Sequence, residues 1–465
     1  MTEYDIAVVG GGPGGYVAAI RAAQQGACVC LIEAERVGGT CLNHGCIPTK
    51  ALYSTALLLQ RLRRAEEHGI EIEEPRFDFA RAAARKDAVV KKLVGGVEQL
   101  LKAQGVELYR GQAALEEPGR LRIRRPEVTA RLRAKNIILA TGSRALRPKA
   151  FPVDGKNVLT SREILAIKEL PKSLLIIGGG YIGCEFASIF AAFGTQVTVV
   201  EQLPRLLGGT DRQAVKEVEK AFKSAGITVH TDTAVEALEV GEGQVRVQLS
   251  GKDEATVEKV LVAVGRVPNT DGLGLEEAGV KTDKGAILVD EGMRTSQSTI
   301  FAIGDVTNIM QLAHVASYQA GIAVANALGG DEKADYRVVP SAIFTLPEIG
   351  QVGLSEEAAR EQDLDIEIGR FSYQASSKAL CDGEAQGLVK ILTAADDGRI
   401  LGASFVGEEA SSLVSEAAVA MAAGLSASTL GRIIHAHPTL PEMVMEAAED
   451  VHGLAVHKAG RKRNR

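Results

Sequence analysis

Cys41 and Cys46 lie five positions apart in the run Gly38-Gly39-Thr40-Cys41-Leu42-Asn43-His44-Gly45-Cys46-Ile47-Pro48-Thr49-Lys50. An unbroken α-helix would hold residues i and i+5 about 8.7 Å apart, whereas a disulfide needs its Cα atoms within about 7 Å. A bridge between them therefore requires a distorted helix. Gly45, with its free backbone, and Pro48, with its missing donor, are the residues that permit one. A bridge formed under strain is readily reduced and re-formed, so these sulfurs suit reversible transfer of an electron pair. Taken alone, the pair reads more readily as two unlinked buried thiols. Its surroundings decide between the two readings.

The second group of chemically able residues is His435-Ala436-His437-Pro438-Thr439-Leu440-Pro441-Glu442. A histidine oriented by a carboxylate is a proton acceptor near neutral pH, and thiol–disulfide exchange needs one to generate thiolate. Thr439-x-x-Glu442 also fits a capping box at the start of a helix, and Glu442 can serve both purposes. Cys28, Cys30, Cys184 and Cys381 read as packing residues. Six cysteines in 465 residues are too few for a structural disulfide framework, and their spacing lacks the partners of a metal site.

The elements that must position these groups are two copies of one unit. Asp5 to Val9 is an apolar strand that runs into Gly10-Gly11-Gly12-Pro13-Gly14-Gly15; a helix follows from Tyr16 to Gln25, then a strand from Ala27 to Ile32 that ends at Glu33. Leu174 to Glu201 repeats the plan. From Gly10 the landmarks Gly15, Gly26 and Glu33 fall at offsets of 5, 16 and 23, and from Gly178 the landmarks Gly183, Gly194 and Glu201 fall at the same offsets. In such a βαβ unit the first glycine makes the tight turn, the second admits a pyrophosphate to the backbone and the third lets helix and strand pack closely. Gly10, Gly12 and Gly15, and Gly178, Gly180 and Gly183, take those three places. Each helix amino terminus then faces phosphates. Glu33 and Glu201 accept from ribose hydroxyls, and a carboxylate repels a 2′-phosphate, so the second site is expected to prefer NAD to NADP.

Ile137 to Gly142 and Leu261 to Gly265 read as matching strand ends, one after each unit, and Ser298 to Asp305 as an apolar strand with a carboxylate at its carboxyl end, where open α/β sheets bind ligands. Asp305 is the candidate contact for a flavin ribityl chain.

A net charge of -6 gives no bulk attraction to nucleic acid or to a membrane surface. No amino-terminal signal and no apolar run of membrane-spanning length is visible, so the cytoplasm is the expected compartment. The basic run Lys458 to Arg465 reads as a solvated tail.

Together these residues resemble the flavin-dependent pyridine nucleotide-disulfide oxidoreductases, and among them the dihydrolipoamide dehydrogenases, over essentially the whole chain. The resemblance rests on Gly38-Gly39-Thr40-Cys41-Leu42-Asn43-x-Gly45-Cys46-Ile47-Pro48-x-Lys50, Gly178-Gly-Gly-Tyr181-Ile182-Gly183-x-Glu185, Gly304-Asp305, Leu312-Ala313-His314 and His435-Ala-His437-Pro-Thr-Leu-x-Glu442, in that order. It implies FAD and NAD as cofactors, with Cys41 attacked by substrate, Cys46 next to the flavin, Lys50 by the reactive flavin nitrogen and paired with Glu185, and His437 as base oriented by Glu442. It implies that Gly39, Thr40, Thr141, Gly142, Asp305 and Ala313 join the first glycine loop around FAD, and that Tyr181, Ile182, Glu185 and Gly265 join the second around NAD. It also implies a homodimer, because the base comes from the partner subunit, and a lipoyl-bearing protein as substrate. His44, where an aliphatic residue is usual, and Thr49, where serine is more frequent, depart from the pattern.

The expected fold is α/β, with two Rossmann-like dinucleotide-binding domains and a carboxy-terminal α+β dimerisation domain. Its expected divisions are an FAD domain over 1–148, an NAD domain over 149–270, a central region over 271–342 that completes the FAD domain, and an interface domain over 343–465. In the last, strands are expected at Gly387 to Thr393 and Ile400 to Gly407, followed by a helix from Ser411 to Ala423.

Overall fold

The structure, a computed structural model, describes residues 3–73, 75–125, 129–251 and 254–458. Of the basic tail, only Lys458 lies among them. Its ammonium donates to the Arg370 carbonyl at 2.8 Å and to Asp450 Oδ2 at 2.5 Å, so this residue is tied to the body of the protein.

The first sheet is built on Glu3–Val9, which pairs in parallel with Val29–Glu33 on one side and Thr129–Leu139 on the other. Ile6 to Val9 are all buried: Ile6 and Val8 face helices, while Ala7 and Val9 face a second core built from Leu115, Leu121, Ile123 and the segment 273–287. Helix Pro13–Gln24 covers one face through Ala18, Ala19 and Ala22 and packs against helix Ala313–Ala327. The strand Thr129–Leu139 reaches further back than the apolar run from Ile137, because its first half alternates arginines with buried Leu132 and Ala134 against the antiparallel strand Arg120–Arg124. Its last three residues pair in parallel with Ile300–Ala302, which brings a distant stretch of chain into the first sheet.

The second sheet is wholly parallel, in the order Thr228–His230, Gln196–Val200, Ser173–Ile177, Lys259–Val262, Val158–Leu159. Helix Tyr181–Ala192 packs on one face. The antiparallel strands Val235–Val240, Val245–Leu249 and Ala255–Val257 pack on the other, through Val245, Val247, Leu249 and Val257. The ends of the two sheets meet in a short antiparallel ribbon, Ser143–Ala145 with Arg266–Pro268.

The third sheet is antiparallel, ordered Ser341–Ile343, Glu348–Gly353, Ile400–Gly407, Leu388–Ala394, Ile366–Ser372. Helices Ala410–Ala422 and Glu442–Asp450 pack on it. They approach closely: a Cβ on Gly350 would stand 2.2 Å from the Ala410 carbonyl oxygen, and one on Gly369 would stand 1.9 Å from that of Ala447. Lys390, on the fourth strand, is buried, and its ammonium lies 2.6 Å from Asp211 and 2.7 Å from Glu356. Asp211 accepts from the Gln213 amide at 2.9 Å as the cap of helix Arg212–Ser224, so this cluster clamps the second sheet's helix to the third sheet.

Two cysteine expectations are corrected. Cys28 precedes its strand and is exposed, with its amide bonded to Asp5, and Cys381 is exposed at the end of helix Ser377–Cys381. Cys30 and Cys184 are buried packing residues. Among the described residues no cluster able to hold a metal ion occurs, and no helix is long and apolar enough to cross a membrane.

Candidate active site

The cysteines sit on two helices. The first, Gly39–His44, stops at Gly45 (φ −145°, ψ −110°), and a new helix runs from Cys46 to Arg63. A side chain at Gly45 would meet the Thr40 carbonyl at 3.1 Å. Thr49 fastens the new helix by donating its hydroxyl to the Gly45 carbonyl at 2.7 Å, a bond that serine would make equally well. Pro48 takes no part in the break. It lies in the first turn of the second helix, where an amide has no intrahelical partner to lose.

Both sulfurs are free thiols, and they hydrogen-bond to each other. The bond from Cys41 draws the Cys46 thiol down to about 7; burial opposes this, and the Lys50 charge adds to the fall. The same bond and burial push Cys41 up. Lys50 is on the Cys46 helix, one turn on, and its ammonium donates to both Glu185 oxygens at 2.9 Å. Glu185 is buried and also accepts from the Phe344 amide at 2.9 Å, while the Phe344 ring lies 4.5 Å beneath the Lys50 ammonium. Lys50 is thus aimed by two elements besides its own.

Cys41, Cys46 and Lys50 open into a cleft of about 1810 Å³. Gly10, Gly12, Glu33, Gly39, Thr40, Thr141, Gly142, Tyr181, Ile182, Glu185, Asp305 and Ala313 line it with them. Gly15 lies behind the wall, where it packs against Gly10. The floor is shaped for a dinucleotide. Gly10 has φ +102°, a value L side chains rarely adopt, and a Cβ on Gly39 would come within 2.6 Å of Gly12 Cα. Helix Pro13–Gln24 begins at Gly12 with no side-chain cap, so its leading amides remain available to an anion. Glu33 is held at the strand end by the amides of Gly11 and Glu35, each at 2.7 Å.

The second unit reproduces these features, with Gly178, Gly180 and Glu201 outside that cleft. Gly178 has φ +106°, helix Tyr181–Ala192 starts at an uncapped Gly180, and Glu201 accepts from the amides of Gly179 at 2.6 Å and Leu203 at 2.8 Å. Gly183 packs against Gly178, and Gly265 (φ +121°) precedes the ribbon strand Arg266–Pro268.

Asp305 lies in the first turn of the short 3-10 helix Gly304–Thr307 and accepts from the Ser143 hydroxyl. Arg266 in turn donates to that hydroxyl at 2.8 Å and to the Ser143 carbonyl at 2.7 Å. Thr141 donates to the Asn269 carbonyl at 2.7 Å, a second tie between the two units. His44 points toward Glu35, at 3.6 Å, and Glu35 also binds Arg162 through both carboxylate oxygens. Burial, the largest influence, and the Arg162 charge hold the His44 ring below the ordinary histidine range.

His437 and Glu442 lie elsewhere. They do not line the cleft, and 73% of the His437 side chain is exposed. Glu442 binds in two directions: Oε1 accepts from His437 Nδ1 at 2.9 Å, and Oε2 accepts from the Thr439 amide at 2.8 Å. Because a carboxylate only accepts, Nδ1 carries the proton and Nε2 is left basic. The Thr439 hydroxyl bonds to the Ala436 carbonyl, and the helix Glu442–Asp450 starts after Pro441 with no side-chain cap, so the expected capping box does not form.

Phe344, Ser143, Arg266, Arg162 and Glu35 escape a reading of the sequence. Each is a single residue brought in by tertiary packing; only Arg266 has a local signal, its place directly after the Gly265 turn.

A thiol pair set between two dinucleotide-type loops, with an antiparallel third unit, defines a pyridine nucleotide-disulphide oxidoreductase. The family model of that description matches residues 4–320 and its dimerisation-domain model residues 339–448, and the chain belongs to this family. The chain is 42% identical over 459 residues to the dihydrolipoyl dehydrogenase of Staphylococcus aureus, with 98% of each chain covered. Among solved structures it resembles LpdA of Mycobacterium tuberculosis, with a TM-score of 0.90 and 27% identity over 97% of this chain and 99% of that one. It also resembles the copper(II) complex of the HOCl-induced flavoprotein disulfide reductase RclA of Escherichia coli, with a TM-score of 0.88 and 32% identity over 97% and 99%.

Proposed function

We propose that this chain is a dihydrolipoyl dehydrogenase, which oxidises protein-bound dihydrolipoamide to lipoamide and reduces NAD+ to NADH. The observation that carries the reading is the helix interruption at Gly45, which sets Cys41 and Cys46 beside the Lys50–Glu185 pair in a dinucleotide-shaped cleft. Full-length identity of about 42% to enzymes of that name supports it.

The residues divide the work as follows. His437 Nε2 of the partner subunit takes the proton from one substrate thiol, held by Glu442 in the orientation that makes this nitrogen basic. The thiolate attacks Cys41 Sγ of the oxidised pair, the Cys41–Cys46 bond breaks, and Cys46 leaves as thiolate beside the Lys50 charge. The second substrate thiol then displaces Cys41, which closes the lipoamide ring and leaves the enzyme with a dithiol. Bound FAD supplies the two-electron relay between that dithiol and NAD+. Gly10, Gly12, Gly39, Thr40, Thr141, Gly142, Asp305 and Ala313 would hold FAD, with Glu33 on its ribose; Gly178, Gly180, Tyr181, Ile182 and Gly265 would hold NAD, with Glu201 on its ribose. We assign 1–148 and 271–342 to the FAD domain, which the pairing of Ile300–Ala302 with Thr129–Leu139 supports, 149–270 to the NAD domain and 343–465 to the homodimer interface. The cytoplasm is the proposed compartment.

Other members of the family are the competing reading. Glu201 opposes an NADP-linked glutathione reductase. A catalytically silent flavoprotein would show no turnover. The deciding test is NAD+ reduction by dihydrolipoamide, with NADP+, glutathione and mercuric ion as alternatives and with Cys41→Ser and Cys46→Ser as variants. Turnover with NAD+ that both variants abolish supports the reading; turnover only with another substrate pair, or none, overturns it.

A further inference from the structure

The steps above use the second histidine of His435-Ala436-His437 and leave the first without a task. Residues 432–438 form an exposed loop with one exception. Ile434 is 97% exposed, yet only 6% of the His435 side chain reaches solvent. Its ring turns inward and both nitrogens are engaged: Nδ1 with the Ile433 carbonyl at 2.8 Å, and Nε2 with Glu416 Oε1 at 2.7 Å. A carbonyl only accepts, so Nδ1 donates its proton there. Nε2 then faces a carboxylate oxygen, and a bond between them needs a second proton shared by ring and carboxyl. That makes the contact charge-assisted, the stronger kind of hydrogen bond.

Glu416 belongs to helix Ala410–Ala422, which packs on the third sheet. At the start of this helix the Ser411 amide donates to Glu348 Oε2 at 3.0 Å, and Glu348 Oε1 accepts from Tyr53 at 3.0 Å, on the helix that begins at Cys46. The helix that grips His435 is therefore itself fastened to the subunit's own thiol-bearing helix. Among the described residues His437, two residues on from His435, has no comparable anchor beyond Glu442.

We propose that His435 and Glu416 are a positioning pair for the proton acceptor, fastening the 433–438 loop so that His437 Nε2 is presented at a fixed place to the partner subunit's sulfurs. The proposal rests on the function given above. His435 touches neither substrate nor cofactor; it acts through His437.

The test uses holoenzyme dimers of wild type, His435→Ala, His435→Gln, Glu416→Ala and the double alanine variant. Two activities are compared: dihydrolipoamide with NAD+, which needs the base, and NADH with ferricyanide, which draws electrons from the flavin and bypasses it. The single alanine variants are expected to lose dithiol turnover about tenfold to a hundredfold, as for loss of a buried charged hydrogen bond, with ferricyanide reduction unchanged. The double variant should be no worse than either single one, and His435→Gln, which keeps a donor, should recover part of the loss. The defect should shrink as pH rises through the ordinary thiol range, where substrate thiolate forms without a base. Unchanged dithiol turnover in both alanine variants, a defect that is independent of pH, or a parallel fall of both activities with loss of the dimer each overturns the pair's positioning role. If wild type reduces ferricyanide but oxidises no dithiol, the functional reading itself fails, a result distinct from the others.

Discussion

Gly183 lies against Gly178 so closely that a Cβ on Gly183 would stand 2.0 Å from the Gly178 carbonyl oxygen; its counterpart on Gly15 would stand 1.7 Å from that of Gly10. The atom struck in each case is backbone, so nothing flexible can give way, and the loop that meets the phosphates must shift. Because the two loops belong to separate sheets, the damage should be separable. Gly15→Ala is expected to yield protein that retains little FAD. Gly183→Ala should keep its flavin and remain reducible by dihydrolipoamide, yet show an NAD KM raised at least about tenfold. Flavin content by absorbance and steady-state kinetics check this, and a Gly183→Ala protein with normal NAD KM would contradict it.

Glu201 offers a second test of the same loop. Its carboxylate is oriented by the amides of Gly179 and Leu203. Glu201→Gln removes the charge and one acceptor, and a lost hydrogen bond to a charged group is worth about 1.5–3 kcal/mol. The KM for NAD should rise about tenfold or more, use of NADP relative to NAD should increase, and the rate of flavin bleaching by dihydrolipoamide should not change. Stopped-flow measurement of the two half-reactions separates these effects.

What was legible in the sequence follows from how local each signal is. The glycine loops, the acidic strand ends and the interrupted cysteine helix are written in consecutive residues, and the strand Ile400–Gly407 appears with its predicted bounds because an apolar run marks it. The first half of Thr129–Leu139 was hidden, since Arg131 and Arg133 face solvent there and dilute the apolar run. Glu35 and Arg162 come together only in the folded chain, and so do Phe344 and Lys50; no spacing rule could pair them. Pro48 looked like a helix breaker and is a first-turn residue, since the break one turn earlier belongs to Gly45 alone.

The buried cluster of Lys390, Asp211 and Glu356 should dominate the attachment of the second sheet to the third. Lys390→Met removes the cation and strands Asp211, which is fully buried, at a cost of about 3–5 kcal/mol. Asp211→Asn keeps an oxygen to cap helix Arg212–Ser224, so the double variant should regain part of that loss. For Glu356, burial raises its carboxyl, but Lys390, Arg360 and Arg370 outweigh it and bring it down to about 2. A depressed carboxyl stabilises the fold above its unfolded value and loses that contribution as pH falls through the folded one. The clamp should thus weaken progressively between the ordinary carboxylate range and about pH 2. Thermal unfolding as a function of pH, with Lys390→Met for comparison, reads both effects; an unchanged midpoint in that variant would remove the clamp from the account.

The last prediction concerns which sulfur carries the charge once the pair is reduced. Cys46 is drawn down to about 7 from an ordinary thiol value of 9.0, first by the hydrogen bond from Cys41 and then, against the opposition of burial, by Lys50. In the dithiol-reduced protein one thiolate should therefore persist at neutral pH and be lost as pH falls below about 7, while Cys41, which the same bond and then burial push upward, stays protonated. The two causes can be ranked. Cys41→Ser keeps a donor and should leave the Cys46 titration low, Cys41→Ala removes the donor and should raise it most, and Lys50→Met should raise it by less. Ultraviolet titration of the thiolate in each reduced variant gives the order. If Cys41→Ala left Cys46 titrating near 7 while Lys50→Met moved it, the ammonium rather than the neighbouring thiol would hold the charge, and the Lys50–Glu185–Phe344 arrangement would become the chief determinant of redox poise at this site.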